Sequence, residues 1–442
     1  MDKSISSYPI MRLSPTFGII LMIFGSIVLS LELWPQKTLI PYATILMLAI
    51  QVGAFLLIMP LIRVRLTPMS LTMLLLWLLL WGWSFLTGFW SEYPVLSLRR
   101  ALMVFIPTFL LLLLVYSDRR PLETFGKVMG GLVYSGTFLA FIGILLFFAG
   151  RTVYLDKWEA LQVINLGPLK VAQLVHLMEP WNRISSLTGN PNDLAFILVF
   201  SIAGSFVLYY SQRISFSRLL ICCFIQGFAL LLTLSRTGMG TLVITVGVFT
   251  FLLTRGSSKK FVLTLLLVLF LVSVSIFFLN SYLHSPEEDI FIRSETLFTM
   301  REYAWARLGV AFTENPVGGS GYGVSFESIL EPEGLIRKSH NVYLNTLSEL
   351  GIPGFLFLMG TWFAPLSIAL YRSQRFSAAK KRFPAITMAI VAAFLIGLLA
   401  HGFLENVILR FSVYNLLWVY LIGLASHPLF SDLKRWDPNF ER

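Results

Sequence analysis

The sequence predicts an all-α polytopic membrane protein with about 12 transmembrane helices and two long loops on one side of the membrane. Hydrophobic residues make up 56% of the 442 residues and charged residues only 13%, whereas roughly a quarter of the residues of a soluble domain are charged. Apolar runs long enough to cross a bilayer recur along the whole chain. The basic residues concentrate in every second connection, as expected when successive loops alternate between cytoplasm and exterior.

The apolar runs predict the spans in order. The first run has no small-residue cleavage site and is followed at once by another span, so it predicts a retained helix and not a signal peptide. The seventh and eighth runs are the shortest. The predicted spans are 13–33, 38–62, 69–90, 98–116, 124–149, 192–211, 217–233, 239–254, 260–280, 345–371, 384–402 and 408–426.

Topology explains the net charge of +11. With the N-terminus in the cytoplasm, the cytoplasmic segments hold 20 of the 34 basic residues but only six of the 23 acidic ones. Such a bias in short loops sets the orientation of a membrane protein. Both termini are therefore expected in the cytoplasm, and no basic patch is left over to predict nucleic-acid binding.

Two connections are much longer than the others, at 150–191 and 281–344, and both fall on the outer face. Long loops on one side of a helical scaffold are where function is usually placed. The chain is thus expected to form a single integral membrane domain over residues 1–442, with periplasmic loops at 150–191 and 281–344. The second, larger loop is expected to carry part of the active site.

The segment S-H-N-V-Y-L-N-T-L-S-E-L-G at 339–351 lies where the second long loop meets a span. It places His340 at the start of a predicted helix, and a proton acceptor at a membrane–water boundary indicates a functional site. A helix cap without chemistry is the alternative. His401 is the competing base, because Glu405 follows four positions later on the same helix and would polarise its imidazole.

The outer face carries ten arginines against four lysines, and the arginine fork matches phosphate geometry. Arg236, in L-T-L-S-R-T-G-M-G, predicts an anion site, with a helix-end arginine reaching the interface as the alternative. Arg183 opens a turn-rich segment and has no local acidic partner before Asp193. Arg301 and Arg307, in R-E-Y-A-W-A-R, are predicted on one face of an amphipathic helix, where a purely solvated role is the alternative.

Several of these motifs occur in the order in which they are found in the O-antigen ligase family, which the chain resembles over about residues 80–410. That family includes lipopolysaccharide O-antigen ligases and related Wzy and exopolysaccharide-type polymerases. The motifs are W-S-E-Y-P-V-L-S-L-R-R-A at 90–101, R-x-x-x-x-x-G-N-P-N at 183–192, S-R-T-G at 235–238, R-E-x-x-W-x-R with N-P-V-G-G-S-G-Y-G at 301–323, and S-H-N-x-x-L-x-x-x-x-E-x-G at 339–351.

The resemblance implies a GT-C-like glycosyltransferase of the bacterial inner membrane with a periplasmic active site. The implied donor is a glycan on undecaprenyl pyrophosphate, and the implied acceptor is a sugar hydroxyl of lipid A–core. A polymerase that extends the glycan itself and a protein O-oligosaccharyltransferase are the alternatives within the class. Neither metal nor other cofactor is implied, and membrane lipid is the remaining partner. The implied site residues are His340 as general base and, for substrate binding, Arg183, Arg236, Arg301, Arg307, Asn341 and Glu349.

The residue types suit this chemistry. Pyrophosphate is already a good leaving group, so arginines that stabilise the departing charge and one base for the acceptor hydroxyl suffice. A 12-span transporter is the alternative from another class, but the long loops follow the fifth and ninth spans without the paired halves usual in transporters. A scaffold protein would leave ten outer arginines around one histidine motif unexplained.

Overall fold

The computed structural model describes residues 14–30, 63–64, 66–155, 159–167, 169–177, 182–254, 299–332, 339–406, 408–410 and 412–431, with a few isolated positions between 49 and 56. These residues are mostly helical. The α-helices are α1 Pro15–Ser30, α2 Pro68–Gly88, α3 Pro94–Ser117, α4 Pro121–Ala149, α5 Pro191–Tyr210, α6 Phe216–Leu232, α7 Arg236–Thr254, α8 Thr299–Glu314, α9 Val342–Ala378, α10 Arg382–Gly402 and α11 Val413–Ser426.

Seven of the described helices are long and apolar enough to cross a membrane, namely α2, α3, α4, α5, α7, α9 and α10. The apolar helices α1 and α6 are shorter. Ten of the predicted spans coincide with helices of the structure. The predicted span 260–280 and nearly all of 38–62 lie outside the described residues, so the total of twelve stays a prediction.

Local signals set the starts of the helices. Proline occupies the first helical position of α2, α3, α4 and α5, where its missing N–H and fixed φ cost nothing. Asn190, Ser215 and Ser412 cap α5, α6 and α11 through side-chain oxygens that accept backbone N–H groups. These caps satisfy donors that the helix itself leaves unpaired.

Helices α5, α10 and α11 form the interior of the bundle. Most side chains of α5 and α10 are buried, and those of α11 are buried along nearly its whole length. Around this centre, α9 packs against α10 and α2, α7 packs against α10 and α5, and α3 packs against α11. The ends of α2, α4, α6 and α10 lie at the same end of the bundle as the starts of α3, α5, α7, α9 and α11, where the contacts Trp83–Leu350, Arg183–Thr233 and His340–Glu405 are made. We call this end of the bundle the site end.

A small antiparallel sheet, which was not predicted, occupies the first long loop. Its strands, in the order β1-β2-β3-β4, are Arg151–Tyr154, Glu159–Leu166, Leu169–His176 and Arg183–Ile184. Val-Ile-rich runs on either side of a turn that contains Gly167 (φ 65°) are a hairpin signal. Gln162 and Gln173 pair across β2 and β3 and hydrogen-bond each other and carbonyls of α4, which anchors the sheet on the bundle.

Helix α9 is interrupted at Gly351, whose backbone is left-handed and non-helical (φ 63°, ψ −168°). The loop that contains N-P-V-G-G-S-G-Y-G docks at this break: the N–H groups of Ser320 and Gly321 donate to carbonyls of α9, and the N–H of Ile352 donates to Pro316 O at 2.8 Å. A Cβ on Gly351 would lie 2.3 Å from Val317 O, so only glycine fits. The predicted span at 345–371 therefore contains the break: its first residues belong to a short helical segment, 342–350, at the site end, and the remainder follows Gly351.

Candidate active site

His340 lies at the start of α9, as the sequence predicts. Asn341 is the N-cap, and its side-chain oxygen accepts the N–H groups of Tyr343 and Leu344, each at 3.0 Å. His340 precedes the cap with φ 52°, a conformation that few non-glycine residues adopt and that is found preferentially at functional sites. Asn341 is thus occupied with the backbone of α9, and a direct role in substrate binding stays a prediction.

The ring of His340 is oriented by Glu405, which follows the end of α10. Its Nδ1 lies 2.8 Å from Glu405 Oε2. About 36% of the His340 side chain is exposed, against 8% for Glu405. With a carboxylate at Nδ1, the proton of the neutral imidazole lies on that nitrogen, so Nε2 carries the lone pair. No other described residue hydrogen-bonds Nε2, which makes it the acceptor that a base requires.

The carboxylate of Glu405 accepts hydrogen bonds from residues of three other parts of the chain: α5, α8 and the residue before the N-cap of α9. Oε1 accepts Asn192 Nδ2 at 2.8 Å and Arg301 Nη2 at 3.4 Å, while Oε2 accepts His340. Burial raises the pKa of this carboxyl, but the hydrogen bond and charge of His340 and the charge of Arg301 outweigh burial, so the pKa is lowered. Glu405 is consequently an anion near neutral pH that holds His340 in place.

The competing histidine, His401, is enclosed. It is 1% exposed, its Nδ1 lies 2.8 Å from Thr241 Oγ1, and its ring meets the edge of Phe196 at a centroid distance of 5.1 Å. The expected hydrogen-bonded pair of His401 with Glu405 is not formed, because the carboxylate turns to His340. The geometry therefore favours His340 as the base that a substrate hydroxyl can reach.

Arg183 bridges helix ends at this site. Its Nε donates to Thr233 O at 2.8 Å, at the end of α6, and its Nη2 donates to Asn192 Oδ1 at 2.9 Å, in the first turn of α5. These contacts hold a positive charge next to the start of α7. Asp193, the first acidic residue after Arg183 in the sequence, hydrogen-bonds Tyr414.

Arg236 is the first residue of α7 and is exposed. It makes no ion pair or hydrogen bond with any part of the chain that the structure describes. The charge of Arg236 at the start of α7 is opposed by the helix dipole. An anion bound there would be stabilised both by the dipole and by the Arg236 guanidinium. Close packing explains why glycine occupies position 238, since a Cβ there would lie 2.7 Å from Ala195 Cβ. The anion site is therefore supported by Arg236 and the helix start, and not by Gly238.

Helix α8 confirms the predicted helix around R-E-Y-A-W-A-R, but its two arginines do not share a face. Six positions turn Arg307 about 120° away from Arg301 around the helix. Arg301 reaches the site, where Nη1 donates to Leu404 O at 2.8 Å and Nη2 contacts Glu405. Arg307 is half-buried on another side of α8.

Glu349 belongs to a second cluster. Its carboxylate accepts the N–H groups of Gly323 at 2.9 Å and Ser325 at 3.3 Å, and Arg100 forms a bidentate ion pair with Glu327 beside it, at 2.7 and 2.8 Å. These contacts fasten the loop to α9 and α3. The structure thus brings Arg183, Arg301 and His340 together through Asn192 and Glu405, and it places Glu349 apart from that network.

Sequence reasoning missed two members of the network. Asn192 was noted only as the last residue of the R-x-x-x-x-x-G-N-P-N motif, a turn and helix-start signal, and Glu405 only as a partner of His401. The sequence did indicate that Glu405 has a partner, because an acidic residue next to an apolar span is rarely unpaired. Nothing local indicated that the partner would be His340.

The structure therefore defines a multi-pass membrane protein with a polar site at one end of its helical bundle. Residues 221–359 match the family model Wzy_C, described as O-Antigen ligase. The matched segment contains Arg236, Arg301, Arg307, His340, Asn341 and Glu349, and it ends before Glu405. None of the curated proteins matches the chain.

The match confirms the resemblance to the O-antigen ligase family over residues 221–359. At a coarse level, this match supports a glycan-transferring membrane enzyme of the ligase and polymerase type, with a lipid-linked glycan donor and a glycan acceptor.

Proposed function

We propose that the protein transfers a glycan from undecaprenyl pyrophosphate to a sugar hydroxyl of lipid A–core, at the periplasmic face of the bacterial inner membrane. The observation that carries this proposal is the His340–Glu405 pair, a half-exposed imidazole with a buried carboxylate on Nδ1. It is the arrangement of a general base for a hydroxyl nucleophile.

The proposed reaction needs one proton acceptor and one site for the leaving group. His340 Nε2 takes the proton of the acceptor hydroxyl as its oxygen bonds to the anomeric carbon of the donor. The bond between that carbon and the pyrophosphate oxygen breaks, and the lipid pyrophosphate departs. Arg236 and the start of α7 bind the pyrophosphate, while Arg183 and Arg301 add positive charge where negative charge accumulates.

The acceptor decides between ligase and polymerase. The purified protein, placed in liposomes with a lipid-linked glycan and lipid A–core, is expected to form glycosylated lipid A–core. Lengthening of the lipid-linked glycan without added lipid A–core would support the polymerase instead. Glycan on neither acceptor, together with an active donor, would contradict both.

Arg236→Lys tests the proposed leaving-group site. Lysine keeps the charge but loses the planar fork, so donor binding is expected to weaken about tenfold or more. Binding of the lipid-linked donor to full-length protein in nanodiscs measures this. Arg151→Lys is the matched control, since Arg151 is an exposed arginine of β1 at the same end. Equal donor affinity in the two variants would remove Arg236 from the site.

The periplasmic location of the site end is also a proposal, and it can be tested by cysteine labelling. In a background with Cys222→Ala and Cys223→Ala, a membrane-impermeant maleimide is expected to label Glu302→Cys in intact spheroplasts. Lys380→Cys, between α9 and α10, should react only after permeabilisation. Both positions are exposed. The reverse pattern would place the site in the cytoplasm.

A further inference from the structure

A continuous set of hydrogen bonds crosses the site end, with Asn192 at its centre. Asn192 Oδ1 accepts Arg183 Nη2 at 2.9 Å, and its Nδ2 donates to Glu405 Oε1 at 2.8 Å. Glu405 Oε2 accepts His340 Nδ1 at 2.8 Å. Three bonds thus connect an arginine of the proposed donor site to the proposed base, although the four residues lie on β4, on α5, after α10 and before α9.

The chemistry of this position requires an amide. Arg183 offers only donors and needs an acceptor, whereas the Glu405 carboxylate offers only acceptors and needs a donor. Asparagine supplies both from one rigid group. Its location is set by the helix start, because Asn190 accepts the N–H of Asn192 at 2.8 Å and Pro191 opens α5.

The two oxygens of Glu405 are divided between different partners. Asn192 and Arg301 occupy Oε1, which leaves Oε2 to the imidazole. We infer that Asn192 is a positioning residue that keeps the carboxylate of Glu405 turned toward His340 and thereby keeps Nε2 of His340 unprotonated. The catalytic consequence of this role rests on the proposed function. The charged and titratable groups that act on Glu405 are His340, Arg301, His401, Arg410 and Tyr414.

Asn192→Asp is the sharpest test because it changes one atom type without changing size. It replaces the amide donor to Glu405 Oε1 with an oxygen that can only accept, and Arg183 beside it keeps the new carboxylate ionised. The added negative charge also keeps the His340 imidazole charged to higher pH. The acidic limb of the kcat profile is therefore expected to move upward by about one pH unit.

Asn190→Asp is the matched control. It adds the same charge two residues earlier, and aspartate caps a helix as well as asparagine. Its pH profile should equal that of the wild type. Asn192→Ala provides a second variant if the aspartate prevents folding: loss of both bonds is expected to lower kcat about tenfold or more, with a smaller change in the KM for the donor.

A readout independent of the substrate separates this inference from the proposed function. In full-length protein labelled with ¹⁵N-histidine, the His340 signal is assigned from His340→Asn and titrated with pH. It should titrate at higher pH in Asn192→Asp but not in Asn190→Asp. An unchanged titration in Asn192→Asp overturns the inference, even if the wild type transfers glycan. A shifted titration in a protein that transfers no lipid-linked glycan supports the positioning role and refutes the proposed function.

Discussion

Replacement of His340 with alanine is expected to lower glycan transfer by about a hundred- to ten-thousandfold, the usual contribution of a general base. Donor binding and expression should stay close to wild type, because His340 is half-exposed and contacts Glu405 by a single hydrogen bond. Initial rates of transfer and donor affinity, measured on the same preparation in nanodiscs, separate the two effects.

His176→Ala is a matched control for that experiment. His176 lies in β3, opposite Arg183 of β4, and its Nδ1 is 3.6 Å from Glu159. This variant therefore also removes a histidine beside a glutamate, but it removes no group that hydrogen-bonds Glu405. Normal transfer by His340→Ala, with loss of transfer in His401→Ala, would assign the base to His401. Normal transfer by both variants would mean that the arginines carry the catalysis and that the acceptor hydroxyl needs no protein base.

Glu405→Gln is expected to be almost as damaging as the loss of His340, although it removes no volume. Asn192 and Arg301 both donate to Oε1, so the amide oxygen of glutamine must take that side. Its NH₂ group then faces His340 Nδ1, which must become an acceptor, and the proton moves to Nε2. The base is lost through the wrong tautomer, an effect worth up to about 10⁴-fold in catalytic triads.

Two substitutions make this test specific. Glu302→Gln removes an exposed acid of α8 near the same end and should leave the rate unchanged. Glu405→Asp keeps the anion and should retain more transfer than Glu405→Gln, although its shorter side chain stretches the contact with His340. If glutamine supports faster transfer than aspartate, the charge of Glu405 and the tautomer of His340 are not what the reaction uses.

Local signals in the chain predicted a large part of this protein. The long apolar runs predicted ten of the described helices, because a membrane span requires only enough consecutive apolar residues to cross the bilayer. The S-H-N segment predicted a helix start, and the structure has the N-cap at Asn341. The ordered motifs predicted the resemblance to the O-antigen ligase family, which the match over residues 221–359 confirms.

Weaker local signals were misread. The V-I-N-L-G-P-L-K-V stretch carries a hairpin pattern from which no strands were predicted, and the structure forms β2 and β3 there. Arg301 and Arg307 were placed on one face, whereas six helical positions separate their directions. In both cases the periodicity of the side chains was not used: the two-residue period of a strand for the first loop, and the 3.6-residue period of a helix for the arginines.

The sequence by itself determined ten of the described helices, the helix start at the S-H-N segment, the resemblance to the O-antigen ligase family and the residue types of the site, because these follow from composition and from neighbours within a few positions. The tertiary structure alone decided the partners. His340 and Glu405 are 65 positions apart, Asn192 and Glu405 are 213 apart, and Arg301 and Glu405 are 104 apart. Which carboxylate reaches which imidazole depends on how α5, α8, α9 and α10 pack. Glu405 lies four positions from His401 yet bonds His340, because the end of α10 directs its side chain across the bundle to the start of α9.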